Sequence, residues 1–211
     1  TMPEISDGAI MTIGVMCHEF GHNLGAPDFY DTDYSGNDGT GDWDMMAGGS
    51  YNGSPSGASP AHHNAFTKWY YYGWYTPVLL NSQQTVTMSN IEENQVAYYY
   101  TTTTANEYFL LENRQQIGFD QGLPGHGLII YHVDQDYIVD HEYNNDINVG
   151  THQGLYPKAS NGTINSPGCA FPTGGDTQFT DTSNPNSKSW AGANTGKPLT
   201  SIAESSGVIT F

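Results

Sequence analysis

The sequence predicts an α+β fold, in which helices near the N-terminus are followed by a β-rich, loop-rich remainder. Apolar residues recur at three- and four-residue steps between residues 10 and 24, which is the period of an amphipathic helix. From about residue 84 onward, short runs of β-branched and aromatic residues alternate with turns rich in Asn, Gly and Pro. We therefore expect two parts, residues 1–80 and 81–211, with the second packed on the first as one unit.

The first predicted helix begins after Ser6 or Asp7, since either side chain can cap a helix N-terminus, and it runs to about residue 24. A neighbouring stripe carries His18 and His22, which we expect to face a cleft while an apolar face packs behind them. That apolar face, predicted to be buried, consists of Ile10, Ile13, Cys17, Phe20 and Leu24.

This helix carries a metal-binding pattern. His18 and His22 are four residues apart and lie one above the other on the helix, so that both imidazoles can bind one zinc ion. Glu19 lies beside them and is a candidate general base. Gly25 allows the chain to turn out of the helix, so that Asp28 can return as a third ligand. Three protein ligands leave a fourth position for water, which is typical of a catalytic zinc site.

The region after this motif is predicted to contain a loop, a tight turn and a second helix. Residues 31–41 show no apolar periodicity and are predicted to be a loop. Residues 43–51 combine bulky apolar side chains with glycines, which indicates a tight turn. The second helix is predicted to begin at Ser59-Pro60, because proline suits a first helical turn, and to end at Gly73. Its predicted buried face consists of Ala61, Ala65, Trp69 and Tyr72.

The second part of the chain is predicted to consist of strands and one long irregular segment. The residues from 160 to 200 are poor in apolar side chains and rich in Asn, Gly, Ser and Pro, so we expect a surface excursion. The predicted strands cover residues 85–88, 95–103, 108–114, 127–134 and 208–211.

Composition excludes several classes of protein. The chain has 22 Asp and Glu against 5 Lys and Arg, a net charge of −17, so nucleic acid is not an expected partner. No run approaches the roughly 20 apolar residues of a membrane span. The loop-rich, lysine-poor composition is typical of extracellular proteins.

Cys17 and Cys169 cannot form a disulfide framework; we interpret Cys17 as a small buried apolar residue, with a bridge to Cys169 as the alternative.

The histidine motif is followed, about eighteen residues after Asp28, by Met46 in a glycine-flanked turn. This extended pattern resembles that of the metzincin zinc peptidases, which carry a methionine turn. With aspartate as the third ligand, the chain resembles the immune inhibitor A-type family of bacterial secreted metallopeptidases. The likeness continues in residues 59–74, in residues 108–134 and in the final Ile-Thr-Phe.

The resemblance implies a metzincin-like lower catalytic subdomain, built from the zinc helix, the methionine turn and the second helix. It implies that His18, His22 and Asp28 bind zinc and that Glu19 activates the bound water. Met46 is then the hydrophobic base under the metal, and Met45 is the weaker candidate. The implied activity is that of a zinc endopeptidase, with proteins or peptides as substrates and secretion as the localisation.

Two further sets of residues are candidates for other roles. Structural calcium is known in the family, and the oxygen-rich loops suit this cation; the candidate ligands are Asp31, Asp33, Asp134 and Asp136. Solvated acidic loops are the alternative, and Asp31 is also the next candidate for the third zinc ligand. Strand alternation sends His132 and Asp134 to the same face. Either Tyr51 or Tyr156 is a candidate for stabilising the oxyanion of peptide hydrolysis.

The chain departs from the family pattern at its start. Metzincins have an N-terminal half ahead of the zinc helix, whereas only seventeen residues precede His18 here. We expect either that an N-terminal fragment of the same precursor supplies this half or that the isolated chain has weak or no activity. The alternative to a zinc endopeptidase is a non-catalytic, metal-stabilised surface or binding module.

Overall fold

The computed structural model describes residues 5–6 and 9–211, with side chains from Ile10 onward. In this part of the chain, two α-helices accompany short strands arranged in three sheets. In chain order the elements are β1 (Ile5–Ser6), β2 (Ala9–Ile10), α1 (Gly14–Asn23), β3 (Val78–Leu79), β4 (Thr87–Met88), β5 (Tyr98–Thr101), β6 (Glu107–Arg114), β7 (Gly127–Asp134), α2 (Gln135–His141), β8 (Leu155–Pro157), β9 (Ala203–Ser205) and β10 (Val208–Thr210). The predicted mixed α+β class is confirmed.

A five-stranded sheet forms the centre, in the order β3-β5-β6-β7-β8. The pairs β5-β6, β6-β7 and β7-β8 are antiparallel, and β3 joins β5 in parallel at one edge. Strands β6 and β7 pair over eight residues, from Glu107 opposite Asp134 to Arg114 opposite Gly127. The predicted strand at residues 127–134 has the bounds of β7, and β6 begins one residue before the predicted 108–114. The predicted strands at 85–88, 95–103 and 208–211 extend beyond β4, β5 and β10.

Each face of the central sheet has its own hydrophobic core, because side chains alternate along a strand. Tyr108 and Leu110 of β6 pack in the first core, with Trp43 and Met46 from the N-terminal part. Phe109 of β6 packs in the second core, which also receives the three-stranded sheet β4-β10-β9 through Met88 and Ile209. The first core therefore joins residues on both sides of position 80, and the proposed division there stays a prediction.

The predicted start of the first helix was wrong. Helix α1 begins at Gly14, and its N-cap residue Ile13 makes no side-chain capping bond. Ser6 lies instead in β1, opposite Ala9 of β2, and the other predicted cap, Asp7, lies outside the described residues. Helix α1 ends at Asn23, one residue before the predicted end.

The predicted buried face of this helix was also wrong. Ile10 is 82% exposed and Phe20 is 61% exposed, while Cys17 alone of that set packs against the first core. The helix is buried along its glycines instead: a Cβ on Gly21 would lie 2.5 Å from Met46 Sδ, and one on Gly14 would overlap the Ser50 carbonyl oxygen. The missing side chains let the helix approach the turn that carries Met46, so the apolar face points outward.

The helix predicted for residues 59–73 is a short helical segment that precedes β3 and is distinct from α2. It begins at Ala65 rather than at Ser59-Pro60 and becomes π-helical over Thr67–Tyr71. Asn64 determines this start, because its side-chain oxygen accepts a 2.8 Å hydrogen bond from the Thr67 N–H, as an N-cap residue does. The preceding residues are held by other partners: the His62 N–H donates to Asp120 Oδ1, and its carbonyl accepts from the Met45 N–H. The predicted burial of Ala61 and Ala65 is confirmed.

The segment from residue 160 to 200 is irregular, as predicted, yet it is more than a surface excursion. Phe171 and Phe179 are fully buried in the second core. Trp190 stacks between the rings of His132 and His152, with centroid distances of 5.5 and 4.3 Å. These few aromatic residues hold a polar segment against the sheet.

Two further findings concern the sequence predictions. Cys17 and Cys169 are both free thiols; Cys17 packs against the first core but is half-buried rather than buried as predicted. Among the described residues, no helix combines the length and the apolar character that a membrane span requires.

Candidate metal centre

His18 and His22 of α1 both direct their Nε2 atoms toward Asp28. Their ring centroids are 4.8 Å apart. His18 Nδ1 lies 2.9 Å from the Met45 carbonyl oxygen, and His22 Nδ1 lies 2.8 Å from the Ala26 carbonyl oxygen. Since a carbonyl only accepts, each Nδ1 carries a proton, and Nε2 is the ring atom left to bind a metal. Backbone carbonyls commonly fix metal-binding histidines in this way.

The chain turns sharply after α1 and brings Asp28 back to the histidines. Gly25 takes a positive φ of 100°, which favours glycine, and the Ala26 N–H donates to the Gly21 carbonyl to close the turn. Asp28 Oδ1 then lies 3.0 Å from His18 Nε2 and 3.3 Å from His22 Nε2. This oxygen is buried and accepts no hydrogen bond from any described residue.

These three atoms fit the requirements of zinc. Ligand atoms at 2.0–2.1 Å around a tetrahedral ion are about 3.4 Å apart, close to both separations from Asp28 Oδ1. Two neutral imidazoles and one carboxylate oxygen are a donor set that zinc prefers. Among the described residues, His18, His22 and Asp28 are the only group of three or more His, Cys, Asp or Glu side chains close enough to hold one ion.

The surroundings favour a charged Asp28. Burial alone would raise the pKa of this carboxyl, but His18 and Asn145 interact with the charged form and lower the pKa overall. Burial likewise acts to lower the pKa of His18, and Asp28 and the Met45 carbonyl outweigh it, so this pKa is raised. An ionised carboxylate between two imidazoles is a strong donor for a divalent cation.

Met46 and Glu19 lie on different sides of α1. Met46 is fully buried, with its sulfur against Gly21, so it supports the helix between the two histidines. Met45 is also buried and supplies the carbonyl that binds His18. Glu19 is exposed, and its carboxylate makes none of the hydrogen bonds found in the described part of the chain. It is free to meet a substrate or a water molecule.

The tyrosine candidates are in different places. Tyr156 lies beside His132 and Trp190, on the face of the sheet away from the Met46 core, so it is not close to the histidine pair. Tyr51 is exposed near the surface of the N-terminal part. Tyr30 was not singled out from the sequence, yet its ring centroid is 6.5 Å from that of His18. Burial, together with the Asp28 charge, raises the pKa of Tyr30 to about 12.

The four candidate calcium ligands are not brought together. Asp31 Oδ2 accepts hydrogen bonds from the Ser35 hydroxyl and from two backbone N–H groups, while Asp33 accepts from the Ser35 N–H. Asp134 caps α2 and lies 2.9 Å from His152, and Asp136 accepts from Asn106. These are the contacts of loop and helix-capping residues, and calcium binding stays a prediction without support from them.

His132 and Asp134 also have separate partners, although they share a face. His132 Nε2 lies 2.7 Å from Glu107 Oε1, whereas Asp134 contacts His152. No described acidic or histidine residue joins the two pairs into a metal cluster.

Asn145 is a second residue at the site that was not singled out from the sequence as part of it. Asn145 contacts Asp28 through both of its side-chain polar atoms. Its position 117 residues further along the chain gives no local pattern, and its neighbours suggest only an acidic loop.

Comparison with known proteins agrees with the geometry. Residues 3–76 match the family described as immune inhibitor A peptidase M6, catalytic domain. The chain is 47% identical over 58 residues to immune inhibitor A of Bacillus thuringiensis subsp. alesti, which covers 27% of this chain and 8% of that protein. It is 45% identical over 60 residues to the pre-pro-metalloprotease PrtV of Vibrio cholerae serotype O1, covering 26% of this chain and 6% of that protein. The alignments therefore span less than a tenth of the length of these relatives. Residues 3–76, which include His18, His22 and Asp28, are thus similar to the catalytic domain of the immune inhibitor A peptidases.

Proposed function

We propose that His18, His22 and Asp28 hold a zinc ion and that the protein carrying them is an endopeptidase that hydrolyses peptide bonds of proteins. The observation that carries the proposal is the convergence of two Nε2 atoms on one buried carboxylate oxygen that has no hydrogen-bond donor. The match of residues 3–76 to a peptidase catalytic domain supports the same function.

Each residue then has a defined task. Zinc, when bound, supplies a Lewis acid that lowers the pKa of water and polarises a carbonyl. The Glu19 carboxylate accepts the proton of the attacking water and delivers it to the leaving amine. His18 and His22 keep their protons on Nδ1, held by backbone carbonyls, so that Nε2 stays available. Met46 supports the helix from below, in the place of the methionine turn of metzincins.

We further propose that another part of the catalytic domain, an N-terminal fragment of the same precursor, covers the open side of α1. A row of large apolar side chains, on this helix and in the residues that flank it, is exposed, and such a row is normally buried against a partner. It consists of Ile10, Ile13, Met16, Phe20 and Leu24. The relatives are also many times longer than the aligned segment. On this proposal the isolated chain is weakly active or inactive, and its metzincin-like subdomain is completed by the covering part.

Localisation and calcium are lesser parts of the proposal. The loop-rich, lysine-poor composition supports an extracellular protein, and the bacterial sources of the similar proteins support a bacterial one. Among the candidate calcium ligands, Asp31 has one buried oxygen without a hydrogen-bond donor, which is compatible with a cation at that loop.

The test is the variant Glu19→Gln in the full precursor, with Glu93→Gln as the control for an exposed glutamate in a turn. We expect Glu19→Gln to lower cleavage of a protein substrate by about 10²–10⁴-fold, the range for loss of a general base, while about one zinc per chain remains bound. Glu93→Gln should leave both unchanged. Zinc content is measured by emission spectroscopy and cleavage with casein, with and without chelator.

Three outcomes would contradict the proposal in different ways. A zinc content well below one per chain in the wild type would exclude the metal site. Full zinc occupancy without cleavage by the precursor would favour the alternative, a metal-stabilised binding module. Strong chelator-sensitive cleavage by the isolated chain would show that no covering part is needed.

A further inference from the structure

We propose that Asn145 is a positioning residue for the metal centre, which holds Asp28 so that one carboxylate oxygen faces the two histidines. The inference rests on the proposed function, since it takes His18, His22 and Asp28 as the ligands. It goes beyond that function because Asn145 lies outside residues 3–76, the segment that matches the peptidase family.

Two hydrogen bonds join Asn145 to Asp28. Asn145 Nδ2 donates a 2.7 Å hydrogen bond to Asp28 Oδ2, and the Asp28 N–H donates a 3.1 Å hydrogen bond to Asn145 Oδ1. One bond fixes the backbone of Asp28 and the other fixes the far end of its side chain. Rotation of the carboxylate about its χ angles would break the Oδ2 bond.

This arrangement decides which oxygen is available. Asp28 Oδ2 is occupied by the Asn145 amide, while Oδ1 points to His18 Nε2 and His22 Nε2 and has no hydrogen-bond donor among the described residues. Because Asp28 is buried, solvent does not compete for Oδ1. The asparagine therefore selects a single ligand atom and directs it at the histidines.

Asn145 is itself held from several sides. It ends a 3₁₀ turn at Glu142–Asn144 with φ of 57°, a left-handed conformation that asparagine tolerates better than most residues. Its carbonyl accepts a 2.6 Å hydrogen bond from the Thr32 hydroxyl, in the loop that follows Asp28. Glu142, at the start of the same turn, accepts a 2.7 Å hydrogen bond from the Tyr71 hydroxyl. The turn is thus fixed to two segments of residues 1–80, the loop after Asp28 and the helix that contains Tyr71.

The chemistry of the amide also matters. A neutral NH₂ group neutralises no charge on Asp28, so the carboxylate keeps its full negative charge for a cation. An aspartate at position 145 would keep the size of the side chain but would place a second carboxylate against Asp28 Oδ2. Groups that orient metal ligands in this way typically change metal affinity by about 10–100-fold.

The experiment compares Asn145→Gly with Asn144→Gly. Glycine adopts the left-handed conformation without strain, so the first variant removes the side chain and keeps the backbone. Asn144 is the exposed neighbour, and its side chain makes none of the hydrogen bonds found in the described structure. For each chain we measure the zinc dissociation constant by chelator competition, the visible spectrum of the Co²⁺-substituted form, and the thermal unfolding of the metal-free form.

We expect Asn145→Gly to weaken zinc binding by about 10–100-fold and to change the Co²⁺ ligand-field bands, because Asp28 then binds in a different orientation. Asn144→Gly should bind zinc within about twofold of the wild type, as a change away from the ligands. Asn145→Asp should also weaken binding, since the shape is kept while the amide donor is replaced by a second carboxylate against Asp28 Oδ2.

Failure of the positioning role of Asn145 and failure of the proposed function give different results in these measurements. If the wild-type chain binds zinc and Asn145→Gly binds it equally tightly with an unchanged Co²⁺ spectrum, the positioning role is wrong and the proposed function stands. If Asn145→Gly lowers the unfolding temperature of the metal-free chain but leaves the Co²⁺ spectrum unchanged, Asn145 is merely structural, and the positioning role is again wrong. If the wild-type chain does not bind zinc, the proposed function fails first.

Discussion

Helix α1 and strand β6 distribute their side chains in opposite ways. The helix leaves large apolar residues such as Met16 and Phe20 exposed, while β6 buries all eight of its residues, including the charged Glu112 and Arg114. From hydrophobicity alone, Met16 and Phe20 would be expected inside the protein and Glu112 and Arg114 on its surface. The difference shows that the partners available in the fold, rather than the polarity of a side chain, decide what is buried here.

Strand β6 can bury its charges because they are paired. Arg114 lies 2.7 Å from Asp120 Oδ2 and 3.0 Å from Glu112 Oε1, and it donates to the Trp43 carbonyl at 2.7 Å. Burial alone would raise the pKa of the Asp120 carboxyl, but the Arg114 guanidinium outweighs this and lowers it. Since Trp43 begins the turn that contains Met46, this ion cluster also supports the turn below the candidate metal centre.

Helix α1 lacks such partners on its outer side. Its packed side is made by Gly14 and Gly21, whose missing side chains allow contact with the turns below. The apolar residues on the other side have no counterpart among the described residues. The comparison between the two elements can be tested at three positions.

The largest effect is expected at Arg114. Replacing it by methionine keeps the bulk and removes the charge, which leaves Glu112 and Asp120 buried without their cation. Breaking a buried ion pair from one side costs about 3–5 kcal/mol, so the free energy of unfolding should fall by that amount in urea titrations. Lys188→Met is the control for loss of a half-buried cation that makes no ion pair in the described structure. A loss below about 1 kcal/mol for Arg114→Met would mean that β6 does not depend on its charge pairing.

A smaller effect is expected on the packed side of α1. Gly21→Ala places a Cβ within 3.1 Å of Met46 Sδ, His63 Cε1 and the Tyr72 hydroxyl. Overpacking of this kind costs about 1–3 kcal/mol, which should exceed the gain of about 1 kcal/mol in helix propensity. Thermal unfolding should therefore occur at a lower temperature than in the wild type, whereas Asn23→Ala, at an exposed position of the same helix, should change little. A stabilised Gly21→Ala variant would show that α1 can move away from Met46 without loss.

The smallest effect is expected on the open side of α1. Phe20→Ser in the isolated chain should change the free energy of unfolding by no more than about 0.5 kcal/mol, since its ring is mostly exposed. In the full precursor the same change should cost about 3 kcal/mol or more, because there the ring is proposed to be buried. Denaturant titrations of both forms measure the difference. Equal and small losses in the two forms would contradict a covering part over α1.

Much of the site could be predicted because its parts are close in sequence. The His18 and His22 side chains share a helix face through the period of the α-helix alone, and Gly25 allows the turn that returns Asp28 within ten residues of His18. Strand β7 was predicted with its bounds because its apolar run is continuous and turn residues flank it. Local rules were sufficient in these places.

The misplaced elements depend on contacts between distant residues. The second helix begins at Ala65 because Asn64 caps it, while His62 is held by Asp120 and Met45. The outward orientation of α1 follows from the approach of Gly21 to Met46. The Asn64 cap is local, and asparagine is a common N-cap residue. The contacts of His62 with Asp120 and of Gly21 with Met46 join distant residues and have no signal in the spacing along the chain.

The sequence by itself determined the chemistry of the candidate centre: two imidazoles and a carboxylate at spacings that one helix and one glycine turn bring together. Only the tertiary structure decided how that chemistry is held. The Met45 carbonyl orients His18, the Asn145 amide orients Asp28, and the Arg114 cluster supports the turn beneath them. The physical reason is that a ligand's identity is a property of one residue, whereas its orientation depends on hydrogen bonds from segments that meet only in the folded chain.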